Sequence, residues 1–176
     1  MGIDRIVRDQ NDLNYVQSLA DKSNAEGKGN YFATFQRPQL GDFLYKDTNG
    51  DGKLDYNDRI EVGSGNFPAI SYGFNLGATW KDFSLQLLFQ GVGDYNVYYN
   101  NQAFRFITAD GQTIMKDIVE NSWTPENPYG SKYPILRYSS DSKNQVASTA
   151  FVHNASYLRL KNLTFSYNLP QSISKK

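Results

Sequence analysis

Residues 70–80, "ISYGFNLGATW", alternate without interruption. Ile70, Tyr72, Phe74, Leu76, Ala78 and Trp80 occupy the even positions, and Ser71, Gly73, Asn75, Gly77 and Thr79 the odd ones. Side chains of a strand point to opposite faces with period two, so one face is wholly apolar and the other small or polar. After Lys81-Asp82 the pattern resumes in "FSLQLLFQ", with Phe83, Leu85, Leu87 and Phe89 on one face and Ser84, Gln86 and Gln90 on the other, Leu88 being an exception. Two such runs around a short polar turn predict an antiparallel hairpin, 70–80 with 83–91, whose two apolar sets share a side. Neither Lys nor Asp favours positive φ, which suggests a loop slightly longer than two residues.

Two solvents suit the apolar face. In a soluble sandwich a second sheet would cover it. In a membrane barrel it would meet lipid, and strands of about 9–11 residues cross a bilayer when tilted ~45°. The uncharged opposite face resembles a barrel lumen, and Trp80 and Phe83 flank the turn like half of an aromatic girdle. The pattern alone leaves both open.

The remaining chain is organised around these strands. "NDLNYVQSLADKS" places Leu13, Val16, Leu19 and Ala20 at helical spacing, with Asn11 or Asp12 as cap. Residues 21–41 read as loop, with a strand candidate at "YFATFQ". "GQTIMKDIVENSW" predicts a short helix through Ile114, Met115, Ile118 and Val119, stopped by Pro125. In "YLRLKNLTFSYNLP", Leu163, Phe165, Tyr167 and Leu169 alternate, but Leu158 and Leu160 are out of phase; a bulge or a membrane exit near Lys161-Asn162 would explain the slip. The expected division is a loop region at 1–69, a membrane hairpin at 70–92, a long loop at 93–155 and a membrane strand at 156–170. Structureless loops of such length are foreign to compact sandwiches. They suit a barrel with tight turns at one end and long extracellular loops at the other, so the Lys81-Asp82 turn is expected opposite 47–58 and 92–155. A hairpin and one strand cannot close a barrel, which takes roughly eight strands or more, so the chain reads as part of a longer one.

Composition removes several classes. With 18 basic and 18 acidic residues and no basic block, nucleic acid is not an expected partner. The absence of cysteine removes disulfides, thiolate catalysis and thiolate metal sites. Aromatics at 15%, with Tyr exceeding Phe, favour a protein rich in interfaces.

Residues 47–58, "DTNGDGKLDYND", carry side-chain oxygens at Asp47, Asn49, Asp51, Asp55 and Asp58. These are positions 1, 3, 5, 9 and 12 of a calcium loop; Lys53 can add its carbonyl, and Gly52 permits the sharp turn. The expectation is a structural calcium site. Asp at position 12 has a shorter reach than Glu, and no helix exits the Gly- and Pro-rich segment that follows, which excludes a sensor. The competing reading is an acidic turn, since Asn-Gly and Asp-Gly are strong turn formers. His153, the single histidine, has no activated nucleophile beside it, so no enzyme is expected. Tyr95, Tyr98, Tyr99 and Phe104 are candidates for stacking on sugar rings or for packing within their own loop.

"GDFLYKDTNGDGKLDYNDR", "FPAISYGFNLGATWKDFSLQLLFQGVGDYNVYYN", "SWTPENP" and "NASYLRLKNLTFSYNLP" resemble, in that order, the late barrel region of SusC/RagA-type TonB-dependent outer-membrane receptors. The resemblance covers about residues 41–170. It implies an all-β fold: antiparallel strands of a large plugged transmembrane barrel, about 22 strands, whose long extracellular loops contain short helices. It further implies a bacterial outer-membrane location, a SusD-like surface lipoprotein as partner, and import of oligosaccharides or peptides driven by TonB. The alternative from residues alone is a soluble β-sandwich that binds carbohydrate and holds a structural calcium.

Overall fold

In the computed structural model the described residues are 1–63, 65, 67–108, 113–138 and 143–170. The elements are β1 (Ile3–Ile6), α1 (Gln10–Ala25), β2 (Phe43–Tyr45), β3 (Ile70–Trp80), β4 (Phe83–Gly93) and β5 (Asn96–Tyr98). They continue as β6 (Ile107–Thr108), α2 (Lys116–Glu120), β7 (Arg137–Tyr138), β8 (Val152–Asn154) and β9 (Tyr157–Tyr167). The chain forms two units, one from residues 1–61 and 98–152, the other from 62–97 and 153–176.

The second unit is a three-stranded antiparallel sheet in the order β3-β4-β9. The hairpin forms in the expected phase, with Leu76 opposite Leu87 and Trp80 opposite Phe83. The turn is two residues long, tighter than expected, because Lys81 accepts φ 51°. Its ammonium lies 4.7 Å from the Trp80 ring centroid, a favourable contact at a strained position. β4 then pairs with β9, Phe83 opposite Tyr167 and Leu87 opposite Leu163. Between Leu88–Asn162 and Phe89–Leu160 the register shifts, so Lys161 is the extra residue of a bulge. That resolves the phase slip: one inserted residue returns Leu160 and Leu158 to the face of Leu163, Phe165 and Tyr167. β3 also approaches β4 closely at Gly91, where an added Cβ would lie 2.5 Å from the Tyr72 ring.

The first unit has its own apolar core. Phe43, Phe106 and Phe151 pack edge to face and tilted, with centroids 5.6 and 5.3 Å apart. Val7, Val16, Leu44, Leu54, Ile118 and Trp123 are buried around them. β1 and β2 pair antiparallel at the edge of this core. The cap of α1 is Asp9, two or three residues earlier than expected: its Oδ1 accepts from the Asn11 and Asp12 amides at 2.9 and 3.0 Å. The second helix is confined to Lys116–Glu120, and Gly111 and Gln112 of its expected start lie outside the described residues. "YFATFQ" is not a strand. The Asn30 carbonyl oxygen accepts the Phe32 amide at 3.0 Å, and this side-chain turn competes with extension.

Asp42 ties the halves of this unit together. Its carboxylate has no solvent exposure. Oδ1 accepts from Arg137 Nε and Nη2 at 2.9 and 2.8 Å and from Asn144 Nδ2 at 3.1 Å, and Oδ2 accepts from the Gln39 amide at 2.9 Å. Burying a charge is tolerable only when it is paired and hydrogen-bonded, as here.

Candidate functional site

Two features of the chain bear on function: a continuous apolar sheet face and the acidic loop at 47–58.

The face is built row by row. Tyr72, Gly91 and Leu158 share one row; Phe74, Phe89 and Leu160 the next; then Leu76, Leu87 and Leu163; Ala78, Leu85 and Phe165; and Trp80, Phe83 and Tyr167. Phe74 and Phe89 stack with centroids 4.9 Å apart, and Phe83 lies 4.7 Å from Tyr167. These side chains are open to the surroundings: Leu76 is 54% exposed, Leu163 57%, Phe165 62% and Trp80 68%. The opposite face carries Ser71, Gly73, Asn75, Gly77 and Thr79 on β3, Ser84, Gln86 and Gln90 on β4, and Asn162, Thr164 and Ser166 on β9, with Leu88, Val92, Tyr157 and Arg159 as its larger side chains toward the end away from the turn. Each strand has 11 residues, about 36 Å, and a tilt of ~45° brings its span to about 25 Å, the height of the apolar band of a membrane barrel. Aromatic Trp80, Phe83 and Tyr167 gather at the turn end. The strand ends that lead to residues 93–97 and 153–157 lie at the other. Among the described residues no helix is long and apolar enough to cross a membrane.

In the acidic loop every anticipated side-chain donor already accepts a backbone N–H. Asp47 accepts from Gly50 at 2.6 Å and Gly52 at 2.9 Å, Asn49 from Asp51 at 2.8 Å, Asp51 from Lys53 at 2.8 Å and Asp55 from Asn57 at 2.7 Å. Asp58 is fully buried. Its Oδ1 accepts from Thr48 at 2.8 Å and its Oδ2 from Asp55 at 2.9 Å, closing a capping box. Gly52, at φ +79°, makes the turn. The loop is anchored by Leu54, 2% exposed, whose amide donates to the Tyr31 carbonyl. An ionised carboxylate has about four lone-pair sites, so one N–H bond leaves capacity for a cation. The residue types therefore fit a hard, oxygen-liganded ion, but among the described residues no three acidic or imidazole groups gather into a metal-holding cluster. Asp58, with both oxygens engaged, is the least available donor.

Two residues outside the anticipated set complete the electrostatics. Lys28 lies against the loop, its Cδ 2.5 Å and its Nζ 3.1 Å from where a Cβ on Gly52 would stand. Its Nζ pairs with Glu26 at 2.7 Å. That hydrogen bond is the main reason the Lys28 ammonium titrates above its ordinary range, with the Glu26, Asp47 and Asp51 charges adding to it. Tyr31 is 5% exposed; burial raises its pKa first, and the carboxylates of Asp47 and Asp58 raise it further. Lys28 was not legible because nothing in its spacing ties it to residues 47–52.

Three of the four aromatic candidates pack within their own loop. Tyr99 stacks on Phe104 at 4.7 Å, and Tyr98 meets Phe151 edge-on at 6.0 Å. His153 sits on β8, half-buried.

No family model matches the chain. Among curated proteins it is similar to TonB-dependent receptor P26 of Formosa agariphila, 30% identical over 135 residues, which are 76% of this chain and 13% of that protein. TonB-dependent receptor P3 of the same organism is 30% identical over 136 residues, 77% of this chain and 13% of the relative. Among solved structures, the RagAB peptide importer in its closed-closed state superposes with a TM-score of 0.52 at 27% identity, covering 72% of this chain and 14% of the matched one. Its open-open state gives 0.50 at 29% identity, covering 70% and 13%. The chain thus spans about 13% of the length of the curated relatives it matches. Sequence and sheet agree on the answer: this chain belongs with the TonB-dependent receptors of the SusC/RagA type, as a segment of their barrel.

Proposed function

We propose that this segment contributes three consecutive lipid-facing strands and two extracellular loop regions, 1–69 and 93–155, to a bacterial outer-membrane receptor that imports oligosaccharides or peptides. A SusD-like surface lipoprotein is its partner and TonB its source of energy, through other parts of the receptor. The carrying observation is the unbroken apolar face from Tyr72 to Tyr167, exposed along its length and opposed by a face that is mostly small and polar. Such a face in water would be an aggregation site, and in lipid it is at rest. β3 and β9 each pair on one side only among the described residues. In a bilayer every backbone group needs a partner, so both edges require further strands of the same barrel. A sandwich would need a second sheet over Leu76 and Phe165, which are exposed instead. The role is binding and passage, not catalysis. Uptake of labelled oligosaccharide and peptide pools by cells carrying Leu76→Arg and Leu163→Arg in the receptor tests the proposal. Loss of uptake of one pool is expected, and unchanged uptake of both would refute it.

For residues 47–58 we propose a weak structural calcium site using Asp47, Asn49, Asp51, Asp55, Asp58 and the Lys53 carbonyl. The donor spacing and the Gly52 turn support it. Binding requires the carboxylates to gather around the ion, so affinity should fall near about 10⁻⁴–10⁻³ M, useful outside a cell. Calorimetric titration of the intact receptor decides it: no calcium heat at millimolar concentration means the segment is only a turn.

A further inference from the structure

The acidic loop has a cation of its own. Lys28 follows the end of α1, and its stem crosses the Gly52 turn so closely that a methyl group there would overlap it. Lys28 and Asp47 line one cleft together with Tyr15, Lys22, Glu26 and Tyr31. Tyr31 is almost wholly buried and reaches this cleft. Four carboxylates are crowded into residues 47–58, at Asp47, Asp51, Asp55 and Asp58. Like charges at such spacing repel, and a nearby positive charge offsets part of that repulsion. Among the described residues the Lys28 ammonium pairs with Glu26, at 2.7 Å. One ammonium is thus shared between Glu26 and the field of Asp47 and Asp51.

We propose that Lys28 is a tethered counter-cation for the 47–58 loop, and that a divalent cation entering the loop displaces its ammonium fully onto Glu26. The first half stands on geometry alone, and the second rests on the calcium reading above. Lys28 supports the loop when calcium is scarce and competes with it when calcium is present. Glu26 serves as the resting place of the displaced charge. Lys28 is a positioning residue in this scheme, since it would touch the loop and not the ion.

The test uses the intact receptor in detergent with calcium chloride as the probe, read by titration calorimetry and by hydrogen exchange of the Gly50, Gly52 and Lys53 amides. Removing one positive charge several ångströms from a divalent ion in solvent-exposed surroundings strengthens binding about fivefold. Lys28→Met should therefore raise calcium affinity about fivefold, and Glu26→Gln, which leaves the ammonium to the loop, should lower it. Lys28→Arg keeps the charge and should behave as the parent does. In chelator, Lys28→Met should speed exchange of the three amides several-fold, and calcium should restore their protection. Calcium binding of equal strength in the parent and in Lys28→Met would overturn the proposal. If calcium binds neither protein yet Lys28→Met still speeds exchange in chelator, the calcium reading fails and the counter-cation role stands. If exchange is also unchanged, both fail.

Discussion

Replacing Asp42 with alanine should release the contact that holds Arg137 and Asn144 to residues 39–43. The substitution removes the acceptor of two Arg137 bonds, one Asn144 bond and the Gln39 amide bond. Breaking a buried pair by removing one partner costs about 3–5 kcal/mol. Arg137 keeps 23% of its side chain in solvent and can recover water, whereas Asn144, 2% exposed, cannot. The lower end of the range, about 3 kcal/mol, is therefore expected. Asp42→Asn keeps one acceptor oxygen but turns an amide N–H toward a donor, for a loss of about 2 kcal/mol. The reporters are the amides of Val7, Phe43 and Ile135, bonded to the Asp42 carbonyl, the Asn144 side chain and the Gly41 carbonyl. Three kcal/mol corresponds to about a hundredfold faster local opening, measured by hydrogen exchange in the intact receptor. Exchange within threefold of the parent at all three amides would show that Asp42 holds nothing together.

Other perturbations follow from the sheet and the helix cap. Gly91→Ala places a methyl group against the Tyr72 ring and 2.6 Å from the Tyr157 carbonyl oxygen, so the barrel should lose about 1–3 kcal/mol; an unshifted melting temperature in detergent would contradict this. Deleting Lys161 should preserve assembly, because the alternation then runs unbroken from Leu158 to Tyr167, whereas deleting Thr164 should invert the strand beyond it; heat-dependent gel mobility separates the two. The Tyr129 hydroxyl, followed by the Asp12 and Asn11 amides, holds the Asp9 carboxyl below its ordinary range. A depressed folded pKa means that the cap's contribution is full above the unfolded value and is lost as pH falls through the folded one. Tyr129→Phe should therefore move the loss of Asn11 and Asp12 amide protection to higher pH, measured against the non-titrating Asp9→Asn; an unmoved profile would remove Tyr129 from the account.

The strands were legible because their signal is local: one residue decides one face, and 11 in a row leave little room for another fold. Leu158 and Leu160 betrayed a slip in β9, but only the pairing with β4 separates a bulge from a membrane exit. Lys81 was misleading because its strain is offset by the Trp80 ring beside it. Ile3–Ile6 passed unnoticed since four residues with two charges show no pattern until β2 lies alongside. Nothing local marks Asp42, its partners being 95 and 102 residues away. In the acidic loop the donor spacing could be read directly. What could not be read was that each donor would turn to a backbone N–H, and that Lys28 would lie across Gly52.

The central claim is that the Tyr72-to-Tyr167 face meets lipid. Spin labels are placed singly at residues 73 to 78 of a receptor in bilayers whose other cysteines, none of them in this segment, have been replaced. Oxygen, which partitions into lipid, should relax labels at 74, 76 and 78 more strongly than those at 73, 75 and 77. A water-soluble nickel chelate should show the opposite preference. Equal access of the chelate to both sets, or a maximum at the odd positions, would contradict the account.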